Sequence, residues 1–483
     1  MHTGFPDTFE QAKIEFRRDN WREAEALCRA LLDSSPGHYD ALNLMGTIAA
    51  QSRRPEEAIK CFSEAARISP SRVEALGNLG NVLQDVNRHD EALGYFDRAL
   101  ELESGNAQLH CNRGIVLCNL GRRGEGAECY QMALQLNPRH HEAQWNLALL
   151  HLQLGLMAKG WPGHELRWEV TRHPGSKPQF PQPMWRGKES VSGKTILLHA
   201  EAGLGDTLQF CRYAELVARL GAQTIVAVPQ TLMPVVKNAP GVHQIMVLGE
   251  PLPPFDCHCP LMSLPLAFKT DLDTIPVSVP YLFSEPTRVA LWHSHLGPKT
   301  RPRVGVVWSG NPGHKNDHNR SIPLATLQPL LQNQAIEWCS LQKELREHDM
   351  AWLSSNPGIR HFGGNLNDFA DTAALVELMD IVITVDSSVA HLAGAMGRPV
   401  WILLPFNPDW RWLLGREDSP WYPSARLFRQ TAAGDWATVI QPVQERLKHW
   451  CKSTTPAPHF RSYLPYLYAM ATLLAISTYL LLR

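Results

Sequence analysis

The sequence predicts an α-helical solenoid followed by two α/β units, an α + α/β fold with an apolar tail helix. Three observations carry this. A pattern of small residues recurs at a fixed step through the first third of the chain. After a proline-rich stretch, short β-rich runs alternate with helical patterns. Residues 463–482, "YLPYLYAMATLLAISTYLLL", then carry no charge at all.

The repeats come first. Ala24, Ala58 and Ala92 stand 34 residues apart, with Gly126 at the next position. Cys28, Phe62, Phe96 and Tyr130 follow the same step, as do Leu31, Ala65, Ala99 and Ala133, and Gly46, Gly80 and Gly114. Pro36, Pro70 and Pro138 close three units, and Ser104 replaces the proline of the remaining one. Small residues where two helices cross, a large apolar residue between them and a closing proline resemble the tetratricopeptide repeat. Four units cover about residues 5–140, and a divergent fifth begins near His141 and runs through "GWPGHELRWEV", so the solenoid is expected over residues 5–170. Stacked units of this kind present a concave face to an extended peptide or a protein partner, or simply scaffold or dimerise the chain.

Residues 171–193, with "TRHPGSKPQFPQPMWRGKESV", lack an apolar period and read as a linker or an extended segment along the next domain. A first α/β half is expected over residues 194–290, with strands "KTILLHA", "QTIVAVP" and "HQIMVLG" and a helix from Thr207 to about Leu220. A second is expected over residues 300–450, with strands in "PRVGVVWSG", "IEWCSLQ", "DIVITV", "PVWILLP" and "ARLFRQ". Its helices are "FADTAALVELM" and a closing amphipathic "DWATVIQPVQERLKHW". Two adjacent parallel sheets place a ligand in the cleft between the carboxyl ends of their strands.

Composition narrows the function. The 483 residues exceed one ordinary core, and 44% apolar with 19% charged residues suits a folded chain. A net charge of −1 gives no basic field to hold nucleic acid. The ten cysteines show no disulfide framework, and Cys257 and Cys259 flank His258 too closely for a zinc knuckle. A cytoplasmic setting is expected, because "MHTGFPDTFEQAK" lacks an apolar signal segment. The uncharged 463–482 segment is long enough to span a bilayer, giving a membrane contact, or it is an appended apolar tail.

The chemistry centres on two segments. In "EAGLGD", Gly203, Gly205 and Asp206 follow a strand and open a helix, as an anion loop does. Leu208 stands where a dinucleotide fingerprint needs its third glycine, so a nicotinamide or flavin enzyme is not expected. Asp206 either caps the helix or serves as a general base facing the cleft. In "VDSSVAHLAGAMGRPV", Asp386 ends a strand, and Ser387, Ser388 and Val389 begin a helix whose free N–H groups suit a diphosphate. Without flanking glycines, "VDSSV" is no serine nucleophile elbow, and Asp386 with His391 is too few ligands for a metal. The alternative is a capped helix with a core histidine. Lys315 and Arg320, in the loop "SGNPGHKNDHNRS", could neutralise leaving-group charge, while His314, Asp317 and His318 fit a metal or a solvated loop. Gln342 and Lys343 are expected as donors near the cleft, and "FNPDWRWLLGREDSPWYP" (406–423) as a segment lining it.

Together "GLGDTLQF", "VVWSGNP" with "RSIPL", and "VDSSVAHLAGAMGRPV" resemble the heptosyltransferase-type (ADP-heptose–LPS) glycosyltransferases of the two-domain, Rossmann-like GT-B fold, over about residues 194–450. Protein O-linked N-acetylglucosamine transferases share the layout of repeats followed by GT-B. The resemblance implies inverting, metal-independent sugar transfer from a nucleotide-diphosphate sugar to a glycan or protein acceptor, with no separate cofactor. It implies Asp206 as general base, and Asp386, Ser387, Ser388 and His391 as the diphosphate cradle. Lys315 or Arg320 would offset phosphate charge. The rival expectation is a repeat scaffold whose transferase domain only binds nucleotide or is inactive.

Overall fold

The computed structural model describes residues 5–170 and 179–453. Its first part is five helical hairpins: α1 (Phe5–Arg17) with α2 (Trp21–Ser34), α3 (Tyr39–Gln51) with α4 (Pro55–Ile68), α5 (Val73–Asp85) with α6 (His89–Leu102), α7 (Ala107–Asn119) with α8 (Arg123–Leu136), and α9 (His141–Gln153) with α10 (Met157–His164). The 34-residue columns are the contacts inside each hairpin. A methyl group added at Gly46 would lie 2.6 Å from the Phe62 ring; at Gly80 or Gly114 it would lie 2.7 Å from the ring of Phe96 or Tyr130. Glycine is therefore required where a ring fills the crossing. Where the ring is replaced by Cys28 or His164, the facing position is Ala12 or Ala148 instead.

The second part holds two parallel sheets. The first has the order β3-β2-β1-β4, from β1 (Thr195–His199), β2 (Gln223–Val228), β3 (Gln244–Val247) and β4 (Cys257–Pro260). The second has the order β10-β9-β8-β5-β6-β7, from β5 (Arg303–Val307), β6 (Glu337–Ser340), β7 (Ile359–His361), β8 (Ile381–Val385), β9 (Val400–Leu404) and β10 (Ala425–Arg429). Alternation places Ile381 and Ile383 in a core under the closing helix Ala437–Ser453, and Val382 in a larger core on the opposite face. That larger core runs without a break from Leu152, Met157 and Trp161 of the solenoid, through Ile196 and Leu198, to Val400 and Ile402.

One local expectation is corrected. The helix expected from Thr207 to Leu220 starts earlier, at Leu204, and is two helices, Leu204–Phe210 and Tyr213–Arg219. Side chains take the carbonyls that would continue it: Arg212 Nε donates to Gln209 O at 2.9 Å and Tyr281 Oη to Leu208 O at 2.9 Å. Cys257 and Cys259 belong to a strand, with His258 between them, and all ten cysteines are free. Within the 171–193 stretch, Met184 bridges to His258 beside β4 and Trp185 is buried; residues 171–178 lie outside the described residues. So does the 463–482 segment, and no helix among the described residues is long and apolar enough to cross a membrane.

Candidate functional site

Asp206 and His391 lie on short helices that follow β1 and β8, and the carboxyl ends of the two sheets bring those helices into contact. The Leu204–Phe210 helix packs against the Ser388–Ala395 helix. Gly205 makes this approach possible, because a methyl there would lie 2.7 Å from His391 Cδ2. His391 is buried, stacks on Trp412 at 5.3 Å, and shares a 2.9 Å hydrogen bond between Nδ1 and Tyr422 Oη. Burial first, then the nearby Arg411 charge, pushes its pKa down to about 3. The ring is thus a neutral hydrogen-bonding group at physiological pH.

Asp206 sits in the first turn of its helix, and its Oδ2 accepts from Gly203 N at 2.8 Å. The capping alternative therefore describes one oxygen. The other, Oδ1, accepts from Arg411 Nη2 across the cleft. Arg411 belongs to the segment between β9 and β10, and it is buried. It also donates to Gln209 Oε1 and to Asp409 Oδ1, each at 2.8 Å, and lies 4.3 Å from the Trp410 ring centroid. Burial alone would raise Asp409, but Arg411 overcomes it and holds that carboxyl below its ordinary value.

Asp386 sits half-buried at the end of β8. Burial, followed by the Asp409 charge, raises its pKa to about 6, against the opposing pull of Arg320. Arg320 Nη1 donates to the Asp386 carbonyl at 3.2 Å, and its guanidinium lies so close over Gly310 that a Cβ there would meet Nη2 at 2.5 Å. Ser387 is the N-cap of the Ser388–Ala395 helix; its hydroxyl pairs with Thr384 Oγ1 at 3.0 Å, while Ser388 is half-buried in the first turn. Asp386, Ser387, Ser388, His391, Arg320, Gly203, Gly205 and Asp206 are thus gathered at one cleft.

Three sequence-derived candidates stand differently. Lys343 follows β6, two strands away from β8 across the sheet, and donates to Asn367 O at 3.4 Å. Gln342 is buried and clamps β5, accepting from Ser309 N at 3.2 Å and donating to Ser309 O at 3.1 Å, so it is not a cleft donor. Lys315 is exposed on the 309–321 loop. In that loop Asp317 is buried and held by Ser321, Arg320 and Arg346. No group of three or more His, Cys, Asp or Glu able to hold a metal occurs among the described residues.

Asp409, Arg411, Gln209 and Tyr422 were not singled out individually from the sequence. The signal was present in "NPDWRW", where charges sit between aromatic residues. That segment leans on the solenoid: Gln153 Nε2 donates to Pro408 O at 2.8 Å, Asn407 Nδ2 donates to Asn119 Oδ1 at 2.9 Å, and Trp161 packs edge-on to Trp410 at 5.3 Å. A cleft of about 210 Å³ lies between α7, α9 and this segment, with Asn119, Asn146, Leu150, Asp409 and Trp410 in its walls.

The fold is a tetratricopeptide-repeat solenoid joined to a two-sheet α/β unit. Models of the tetratricopeptide repeat match residues 9–73, 73–106 and 107–140. The chain is similar to Protein FlbA of Caulobacter vibrioides (strain ATCC 19089 / CIP 103742 / CB 15), 26% identical over 324 residues, which is 62% of this chain and 54% of that protein. It thus spans about half the length of that relative. Among solved structures it is similar to MamA (17% identity, 34% of this chain and 94% of that one, TM-score 0.30) and to PilF of Pseudomonas aeruginosa (18% identity, 34% and 74%, TM-score 0.31).

Proposed function

We propose that the chain transfers a sugar from a nucleotide-diphosphate sugar to a hydroxyl of a protein or glycan acceptor, with inversion, and that the solenoid binds the acceptor or a protein partner. The observation that carries this is the meeting of Asp206, from the first sheet, with the Asp386–His391 segment and two arginines, from the second. Glycosyl transfer needs a base at the acceptor oxygen and positive electrostatics where the leaving charge develops. In this reading the acceptor hydroxyl gives its proton to Asp206 and its oxygen bonds to the anomeric carbon. The bond from that carbon to the diphosphate oxygen breaks, leaving its electron pair on the diphosphate. Arg320 and the free N–H groups at Ser388 and Val389 take up that charge, so the step is written without a metal. The likeness of the motifs to GT-B glycosyltransferases supports the same assignment, and the repeats support the protein partner.

The scaffold reading is favoured by one observation, namely that both Asp206 oxygens already have partners. Thermal unfolding against a panel of nucleoside diphosphates and their sugars separates the two. A ligand at a hundred times its Kd adds about 2.7 kcal/mol. One base should stabilise the wild type and not His391→Ala; no response to any member removes the donor site and leaves the scaffold.

A further inference from the structure

The Arg411 guanidinium belongs by chain to the diphosphate-binding half and by contact to the half that carries Asp206. Its Nη2 is on Asp206 Oδ1, its Nε on Gln209 Oε1 at 2.8 Å, and its Nη1 on Asp409 Oδ1 at 2.8 Å. Asp206 in turn has Oδ2 on Gly203 N at 2.8 Å, so each carboxylate oxygen is engaged. This guanidinium, in contact with two carboxylates, lies beside the Asp386–His391 segment and is, with Arg320 on the Asp386 carbonyl and Asp317, a second cation able to meet a diphosphate placed there. Phosphate oxygens accept a bidentate guanidinium as well as a carboxylate does, with more charge.

We propose that Arg411 is a donor-responsive gate on Asp206: without donor it occupies Oδ1, and an arriving diphosphate draws it away, freeing that oxygen for the acceptor proton. Arg411 then acts as a positioning residue that orders the reaction, with donor bound before the base is available. This limits proton abstraction from water or acceptor when no sugar is present. The proposal rests on the transferase reading, since it needs a diphosphate in this cleft. Gln209 and the Trp410 ring give the guanidinium a fixed pivot, with the ring centroid 4.3 Å away.

The test is a binding cycle using the nucleoside diphosphate that stabilises the wild type, measured by calorimetry on the full chain, Asp206→Asn, Arg411→Met and the double variant. Competition between Asp206 and the diphosphate for Arg411 predicts that Asp206→Asn tightens binding about five-fold and Arg411→Met weakens it about ten-fold. In the Arg411→Met background, Asp206→Asn should then change nothing. If Asp206→Asn tightens binding equally in both backgrounds, simple removal of a repelling charge explains it and the gate is wrong. If Asp206→Asn weakens binding or leaves it unchanged in the wild-type background, the ion pair is a static brace and the gate is wrong. If no nucleoside diphosphate binds the wild type, the transferase reading fails and the gate with it. Arg411→Lys, which keeps the charge, distinguishes a folding defect: it should bind the diphosphate more tightly than Arg411→Met and unfold at the wild-type temperature.

Discussion

At the scale of single residues, the site depends on a glycine and a histidine that touch. Gly205 lets His391 stand against its backbone, so Gly205→Ala drives a methyl to 2.7 Å from Cδ2. It should cost about 1–3 kcal/mol and weaken nucleotide binding, read by denaturant unfolding and calorimetry. His391 sets a pH dependence. Its folded pKa, about 3, is depressed below its unfolded value near 6.5, so the unfolded state binds more protons as pH falls through that window. The stability of the wild type relative to His391→Gln should fall by about 1.4 kcal/mol per pH unit below 6.5. Equal slopes in the two proteins would show that His391 is not buried and neutral. The cradle residues were legible because Asp386, Ser387, Ser388 and His391 lie together in one strand–turn–helix. Arg411 was not, because its partner Asp206 lies 205 residues away in the chain and only the folded cleft joins them.

At the scale of elements, the repeat period has a direct physical content. Ring and glycine form one unit, and Gly80→Ala places a methyl 2.7 Å from Phe96 Cζ and 2.8 Å from Cε1, which no rotamer of a methyl avoids. Alanine gains about 1 kcal/mol in helix propensity, but overpacking a closed crossing costs about 1–3, so a net loss is expected. Adding Phe96→Leu should cost less in the Gly80→Ala background than alone, because the two occupy the same space. Strict additivity in the unfolding midpoints would contradict the pairing. Long β-branched runs such as "DIVITV" announced their strands. β4 and β7 went unseen because "CHCP" and "IRH" are too short to show a period, and they are strands through pairing with β1 and β6.

At the scale of the whole molecule, the solenoid is built into the site. Arg167, fully buried after α10, donates to Glu201 Oε1 and Ser263 Oγ at 2.8 Å each, and to Glu165 Oε1 at 2.9 Å. Glu201 opens the loop that leads into the helix carrying Asp206. Arg167→Met takes the cation away from the buried Glu201 carboxylate and the half-buried Glu165 and should cost about 3–5 kcal/mol, seen as a lower unfolding midpoint. Because one core spans solenoid and sheets, the wild type should unfold in a single transition; separate transitions for the two parts would contradict that continuity. The order of solenoid and sheets was legible from period and alternation, whereas this junction was not, since it joins segments that share no sequence pattern.

The central claim is that Asp206 is the base of a sugar transfer. Its most direct test is the release of nucleoside diphosphate from a panel of nucleotide sugars, followed with wild type and Asp206→Asn under saturating donor. Turnover in the wild type that falls by about 10²–10⁴ in the variant, with donor binding retained, is the predicted result. Equal turnover in both would contradict it.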